Sequence, residues 1–191
     1  AVISNEVKNE DSIMKNQVSL MKRHIDRYLK KAHLESVGKS SKEKVDIITL
    51  MKKMISIFHK LYPDFDILLN SKISKAYVFG SMDDIEEVIG NVIENSCKYG
   101  KGRIIIEINT HGKQELELVI CDDGSGLTVE EMNKVFARGF RIDEQKSGTG
   151  LGLNIVKDIV ETYMKGKVNL KKSKKLGGLE VNILFPLSTS K

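Results

Sequence analysis

Residues 81–100 read SMDDIEEVIGNVIENSCKYG. Ile85, Val88, Ile89, Val92 and Ile93 recur at steps of three and four, the spacing of one buried stripe on a helix from about 82 to 99. Ser81, followed three residues later by Asp84, predicts a capping box at its start. Glu87, Asn91, Asn95 and Lys98 fall at i, i+4, i+8 and i+11 and so share a different face. Asn is a poor helix former, and two of them on an exposed face need a reason other than propensity. Neutral amide oxygens can ligate Mg²⁺ while leaving its charge free for phosphate oxygens. Lys98 would add a point charge, and Tyr99 a flat face for a base. A solvated polar face without a role would show the same pattern, so this helix alone does not decide the chemistry.

Around it the chain alternates between two periodicities. Ile47, Leu50, Met51, Met54, Ile57, Phe58 and Leu61 mark one face of a long helix that Pro63 ends. Short β-like runs follow at 66–70 and 76–80, and RIIIEINTH (103–111) and QELELVICDD (114–123) form a pair of strands with a turn between. A third helix is expected near 151–164, and two strands close the chain at KVNLKKS and GLEVNILFP. Antiparallel-type strands with three helices imply an α+β class: a two-layer sandwich with three main helices on one face of a mixed sheet. Upstream, Val18, Met21, Ile25, Tyr28 and Ala32 follow a heptad seam, suited to a helical bundle or to packing on the same domain. The expected organisation is a helical segment at 1–36, a polar linker at 37–44 and one domain at 45–191.

Two further motifs carry candidate chemistry. CDDGSGL (121–127) stands where an alternating strand ends, so Asp122 emerges beside Gly124 and Gly126. A buried carboxylate there can accept a hydrogen bond from an exocyclic amine, and glycine lets a flat base approach, although an acidic turn reads the same way. GTGLGL (148–153) opens a helix and offers exposed amides where the helix dipole favours phosphate. Its spacing is neither that of a dinucleotide fingerprint nor that of a P-loop. GKS at 38–40 fails as a P-loop because His33 stands where the first glycine belongs.

The composition excludes several classes. With 40% hydrophobic and 30% charged residues the chain is globular, and no apolar run approaches the ~20 residues of a membrane span. Cys97 and Cys121 lack metal-ligand spacing and disulfide density, and read as reduced thiols of a cytosolic protein. The histidines at 24, 33, 59 and 111 show no zinc pattern. Net charge is +5, and the basic cluster KGKVNLKKSKKLGG (165–178) reads as a solvated hairpin tip rather than a nucleic-acid patch, since few aromatics interleave with the lysines.

In this order and spacing the motifs resemble the ATP-binding catalytic domain of sensor histidine kinases, within the wider GHKL ATPase superfamily. EVIGNVIENSCKY (87–99) matches the N box, DDGSG (122–126) the G1 box, VFARGF (135–140) the F box and GTGLGL (148–153) the G2 box. RGFRID (138–143) and CKYG (97–100) resemble the PhoQ-like branch. The resemblance covers about residues 45–187 and implies a Bergerat-type sandwich with a lid between the G1 and G2 boxes. It implies that Asn91 ligates Mg²⁺ with Asn95 assisting, that Lys98 meets phosphate, and that Tyr99 stacks near adenine. Asp122 would accept from the adenine amine, supported by Gly124 and Gly126. Gly148, Thr149, Gly150, Leu151 and Gly152 would wrap the phosphates, and Phe136 would anchor the lid. Arg138 or Arg141 would reach the γ-phosphate, and Glu87 would take a structural or water-orienting role.

The resemblance further implies transfer of the γ-phosphoryl group of ATP to a histidine on a dimerisation helix, then to an aspartate of a response-regulator receiver domain. The parent would be a homodimer in the bacterial inner membrane, with this part cytoplasmic and touching neither membrane nor nucleic acid. His24 lacks the acidic neighbour and threonine-proline that follow the family's acceptor, so the acceptor is expected N-terminal of residue 1, and the chain as given is not expected to autophosphorylate. Other readings are a clamp-type ATPase in which Glu87 activates water, a serine kinase acting on an anti-sigma partner, and a non-catalytic nucleotide-sensing module. The expected absence of a following transducer domain speaks against the first, the heptad-bearing helix against the second, and intact Asn91, Asp122 and glycines against the third.

Overall fold

The structure, a computed structural model, describes residues 43–112, 114–137 and 152–187. The helical segment at 1–36 lies outside the described residues. The chain enters through a short strand, β1 (Glu43–Asp46), two residues inside the stretch read as linker. Only Val45 of β1 is fully buried, and the strand pairs antiparallel with β3 (Tyr77–Gly80) in a separate two-stranded ribbon.

Helix α1 (Ile47–Leu61) starts where Asp46 accepts hydrogen bonds from the Ile48 and Thr49 amides, at 3.1 and 3.5 Å. It ends as the Tyr62 amide closes on the Phe58 carbonyl, just before Pro63. Ile47, Leu50, Met51, Met54 and Phe58 face the core, whereas Ile57 and Leu61 are 41% and 64% exposed. Ile57 sits on the rim of the stripe and Leu61 in the last turn, so the helical period extends past the surface that covers it.

Strand β2 (Asp66–Ser71) begins the main sheet. The described residues then give α2 (Met82–Tyr99), β4 (Arg103–His111), β5 (Glu115–Asp122) and α3 (Val129–Lys134). Next come α4 (Gly152–Lys157), which runs into a π-helical turn (Asp158–Tyr163), then β6 (Lys167–Lys172) and β7 (Leu179–Pro186). The sheet order is β2-β4-β5-β7-β6, parallel only between β2 and β4. Parallel neighbours need a crossover, and here β3 and α2 provide it. The mixed sheet and its helices agree with the expected sandwich.

One face of the sheet forms the core. Ile104, Ile106 and Ile108 of β4 stand opposite Asp122, Ile120 and Leu118 of β5. Val181, Ile183 and Phe185 of β7 continue the rows, and nearly all of these apolar side chains are fully buried. Ile85, Val88, Ile89, Val92 and Ile93 of α2 join the same core. Each such side chain contributes about 1.5–3 kcal/mol by leaving water.

The expected capping box at Ser81 is not formed. Ser81 occupies the N-cap, but its side chain makes no capping hydrogen bond, and Asp83 and Asp84 in the first turn complement the helix dipole instead. A true capping box lies at α3: Thr128 Oγ1 accepts from the Glu131 amide at 3.2 Å, while the Thr128 amide donates to Glu131 Oε2 at 2.7 Å.

Candidate functional site

Asp122 belongs to the alternating row of Leu116, Leu118 and Ile120, so strand geometry turns its side chain toward the core face under α2. It is 4% exposed. Oδ1 accepts from the Gly124 amide at 2.9 Å and from the Leu179 amide of β7 at 3.0 Å. Ser96 on α2, itself buried, adds a side-chain hydrogen bond. Burial pushes the carboxyl above its ordinary value of 3.8, against the lowering effect of these hydrogen bonds and with some help from the neighbouring Asp123 charge. A carboxylate so held is a fixed acceptor for a neutral donor such as an amine.

Asp123 alternates to the opposite side and does different work. Its Oδ1 accepts from the Lys101 and Gly102 amides at 2.7 and 3.2 Å, and Oδ2 accepts from Arg103 at 3.1 Å. Its slight burial would raise the carboxyl, but these amides outweigh that and hold it below its ordinary value. The loop leaving α2 is thereby pinned to the end of β5.

Close backbone approach explains the glycines here. A Cβ on Gly124 would stand 2.5 Å from the Tyr99 carbonyl, and one on Gly178 would run into the Asp122 carboxylate and carbonyl oxygens. Gly126 has φ +70, and its missing Cβ would sit 3.1 Å from the Gly178 carbonyl.

On α2, Asn91 Nδ2 donates to the Glu87 carbonyl at 2.8 Å, which leaves Oδ1 as the outward group of the amide. Gly152, the first residue of α4, lies against it: a Cβ there would be 3.1 Å from Asn91 Oδ1 and 3.2 Å from Asn95 Nδ2. Glu87, Asn91, Asn95 and Lys98 therefore share one side of α2, with the start of α4 beside the two amides. Lys98 Nζ lies 5.2 Å from the centroid of the Tyr99 ring. Phe136 packs on the core edge, its carbonyl accepting from Asn154 Nδ2 at 2.8 Å and its ring lying 4.9 Å from Lys157 Nζ. Arg138, Arg141, Gly148, Thr149, Gly150 and Leu151 lie outside the described residues.

Sequence reasoning missed Ser96, Gly178, Leu179 and Asn154. Ser96 had a signal, a polar residue in register with the apolar stripe of Val92 and Ile89. Gly178 read as half of a turn dipeptide, while the Leu179 amide and the Asn154 side chain reach partners 57 and 18 residues away, which local pattern does not encode.

The arrangement offers a buried acceptor beside close-packed glycines, with the Asn91 and Asn95 amides against the start of α4 and the Lys98 ammonium by the Tyr99 ring. Among the described residues, no three histidine, cysteine or acidic side chains cluster to hold a metal, and no helix is long and apolar enough to cross a membrane. The sequence profile described as "Histidine kinase-, DNA gyrase B-, and HSP90-like ATPase" matches residues 80–189. The chain is 31% identical over 181 residues to the sensor protein PhoQ of Escherichia coli (strain K12), covering 94% of this chain and 36% of that protein. It thus spans little more than a third of the length of such relatives. The mycobacterial sensor histidine kinase MprB superposes with a TM-score of 0.68 at 25% identity, covering 76% of this chain and 97% of that one. Full-length ShkA in complex with AMPPNP shares the fold, with a TM-score of 0.69 at 19% identity over 80% of this chain and 32% of that one. This chain belongs to the family of histidine kinase-, DNA gyrase B- and HSP90-like ATPases, and its relatives there are sensor histidine kinases.

Proposed function

We propose that this chain binds ATP with Mg²⁺ as the catalytic domain of a sensor histidine kinase, and donates the γ-phosphoryl group to a histidine on a dimerisation helix of its parent. The observation that carries this reading is the buried Asp122 carboxylate, held by the Gly124 and Leu179 amides and by Ser96 where β5 ends beneath α2. Asp122 accepts from the adenine amine. Tyr99 borders the base and Lys98 meets phosphate. Leu151 and the G2-box residues Gly148, Thr149, Gly150 and Gly152 enclose the triphosphate.

The residues fit a magnesium ion. Asn91 Oδ1 is left outward by the hydrogen bond to Glu87, beside a cradle at Gly152 that a Cβ would fill. Asn91, with Asn95, would hold the ion, which supplies charge neutralisation for phosphate oxygens when bound. Catalysis on this domain consists of positioning and electrostatics: Arg138 or Arg141 faces the γ-phosphate, Phe136 anchors the connecting segment, and Glu87 orients rather than abstracts. An imidazole is a competent nucleophile near neutral pH and comes from the helix of the parent. A receiver-domain aspartate is the onward acceptor. The parent is a homodimer of the bacterial inner membrane, with this domain on the cytoplasmic side.

The test is calorimetric titration of ATP with and without Mg²⁺, with ADP release followed in the same samples. Mg²⁺-dependent binding with almost no turnover is expected. Sustained hydrolysis abolished by Glu87→Ala would replace this reading with a clamp-type ATPase, and absence of binding would overturn both.

A further inference from the structure

The basic stretch KGKVNLKKSKKLGG has no part in the site so far. In the structure it supplies β6 and the turn 173–178 that leads into β7. Glu107 alternates out of step with the buried Ile106 and Ile108, so it stands on the face of the sheet turned away from the core. Lys175 pairs with Glu107, and Lys171 Nζ lies 2.9 Å from Glu180 Oε1. To reach Glu107 on β4 from the β6–β7 turn, the Lys175 side chain has to span β5, the strand between. Beneath the turn, Ser173 and Cys121 are buried and hydrogen-bonded to each other.

The same turn ends at the site. The Gly177 amide donates to the Ser173 carbonyl at 2.9 Å, and the Ser173 amide to the Gly178 carbonyl at 2.8 Å. Gly178 then donates to the Asp122 carbonyl at 3.2 Å and Leu179 to Asp122 Oδ1 at 3.0 Å. Two successive glycines leave the backbone wide conformational freedom, so the turn's place depends on its backbone hydrogen bonds and on the side-chain contact of Lys175.

We propose that the turn 173–178 is a strap behind Asp122, latched by Lys175 onto Glu107, and that Lys175 is a positioning residue for adenine recognition. The proposal rests on the reading of Asp122 given above. The latch fixes the turn, the turn presents the Leu179 amide, and the amide fixes the carboxylate oxygen. Lys175 and Glu107 are part-exposed, so the pair acts with the modest strength of a surface contact and weakens with salt.

The test uses the full chain and compares it with Lys175→Met, Glu107→Gln and the exchanged pair Lys175→Glu/Glu107→Lys. ATP and inosine triphosphate, which lacks the exocyclic amine, are titrated at low and high salt, and exchange of the Leu179 amide is followed without nucleotide. Each single substitution is expected to weaken ATP about threefold at low salt, the scale of a surface ion pair. Inosine triphosphate should bind all variants alike, and the Leu179 amide should exchange faster than those of β4. The exchanged pair should restore both readouts, and high salt should remove the differences. Unchanged Leu179 exchange in the single variants overturns the strap, whatever the nucleotide does. An equal loss for both nucleotides makes the effect a general structural one and overturns it too. Failure of the unaltered chain to bind ATP overturns the reading of Asp122, and the strap's role in recognition with it.

Discussion

Gly152 lies against Asn91 so closely that a Cβ would stand 3.1 Å from the amide oxygen, with Asn95 only 3.2 Å away. Asn91 cannot swing aside freely, because its Nδ2 is tied to the Glu87 carbonyl. Gly152→Ala should therefore raise the Kd for Mg²⁺-ATP about tenfold, about 1.4 kcal/mol. Gly152 is the first residue of α4, where the interior propensity difference between glycine and alanine does not apply in full, so the melting temperature should move little. Titration beside a thermal melt separates the two effects; unaltered affinity would show that the amides are not at the phosphates.

Asp122 and Asp123 are neighbours whose pKa values move in opposite directions, and their pH signatures should oppose each other. The carboxyl of Asp122 is raised above 3.8 by burial, so its charged form costs stability above its folded pKa, and that cost is relieved as pH falls toward 3.8. The carboxyl of Asp123 is lowered, so its contribution is present above 3.8 and is lost as pH falls through the folded value. Melting curves from pH 7 to 3 should show Asp123→Asn losing stability near neutrality and converging on the parent in acid. Asp122→Asn should instead lose its relative advantage as pH falls, while binding ATP at least a hundredfold more weakly, about 2.7 kcal/mol. Parallel pH profiles for the two variants would contradict the assignment.

Asn154 ties the Phe136 carbonyl to α4 across 18 residues of sequence. Asn154→Ala leaves that part-buried carbonyl without its donor and should cost about 1 kcal/mol in urea-induced unfolding. A midpoint unchanged within error would mean that Phe136 is held by its ring alone.

Both cysteines should be silent toward thiol reagents in the folded chain. Burial, assisted by the Glu94 charge, pushes the Cys97 thiol to about 12, and burial pushes Cys121 to about 11. The reactive thiolate is thus scarce at pH 8 and sheltered from solvent. Labelling with a chromogenic disulfide should proceed only in denaturant; rapid labelling under native conditions would place one thiol at the surface.

The elements with strong periodicity were legible in the sequence, and the ones set by distant partners were not. The stripe from Ile85 to Ile93 predicts α2 closely, because every third or fourth side chain enters the core. Helix α3 buries none of its residues, so it carries no stripe, only the Thr128–Glu131 box that marks its start. In β1, EKVD has a single buried side chain, and its strand character comes from β3, some thirty residues on. The turn to π-helix after Lys157 leaves the apolar pattern of Ile155, Val156, Ile159 and Val160 readable as an ordinary helix. At the site, Asp122 and its glycines were legible as a motif, while the role of Gly178 was hidden by its resemblance to any other turn glycine.

The two backbone donors to Asp122 Oδ1 differ sharply in when they can exist. Gly124 is two residues away and available as soon as the strand end forms, but Leu179 is 57 residues further along the chain. Contacts of such separation form late, after the loops between them have closed. Until β7 takes its place between β5 and β6, the carboxylate lacks the Leu179 donor and has an open flank, whatever Gly124 and Ser96 supply. Nucleotide affinity in a refolding chain should therefore arise with the last strand rather than with the helix that bears Asn91, so that ATP binding serves as a clock for the completion of the sheet.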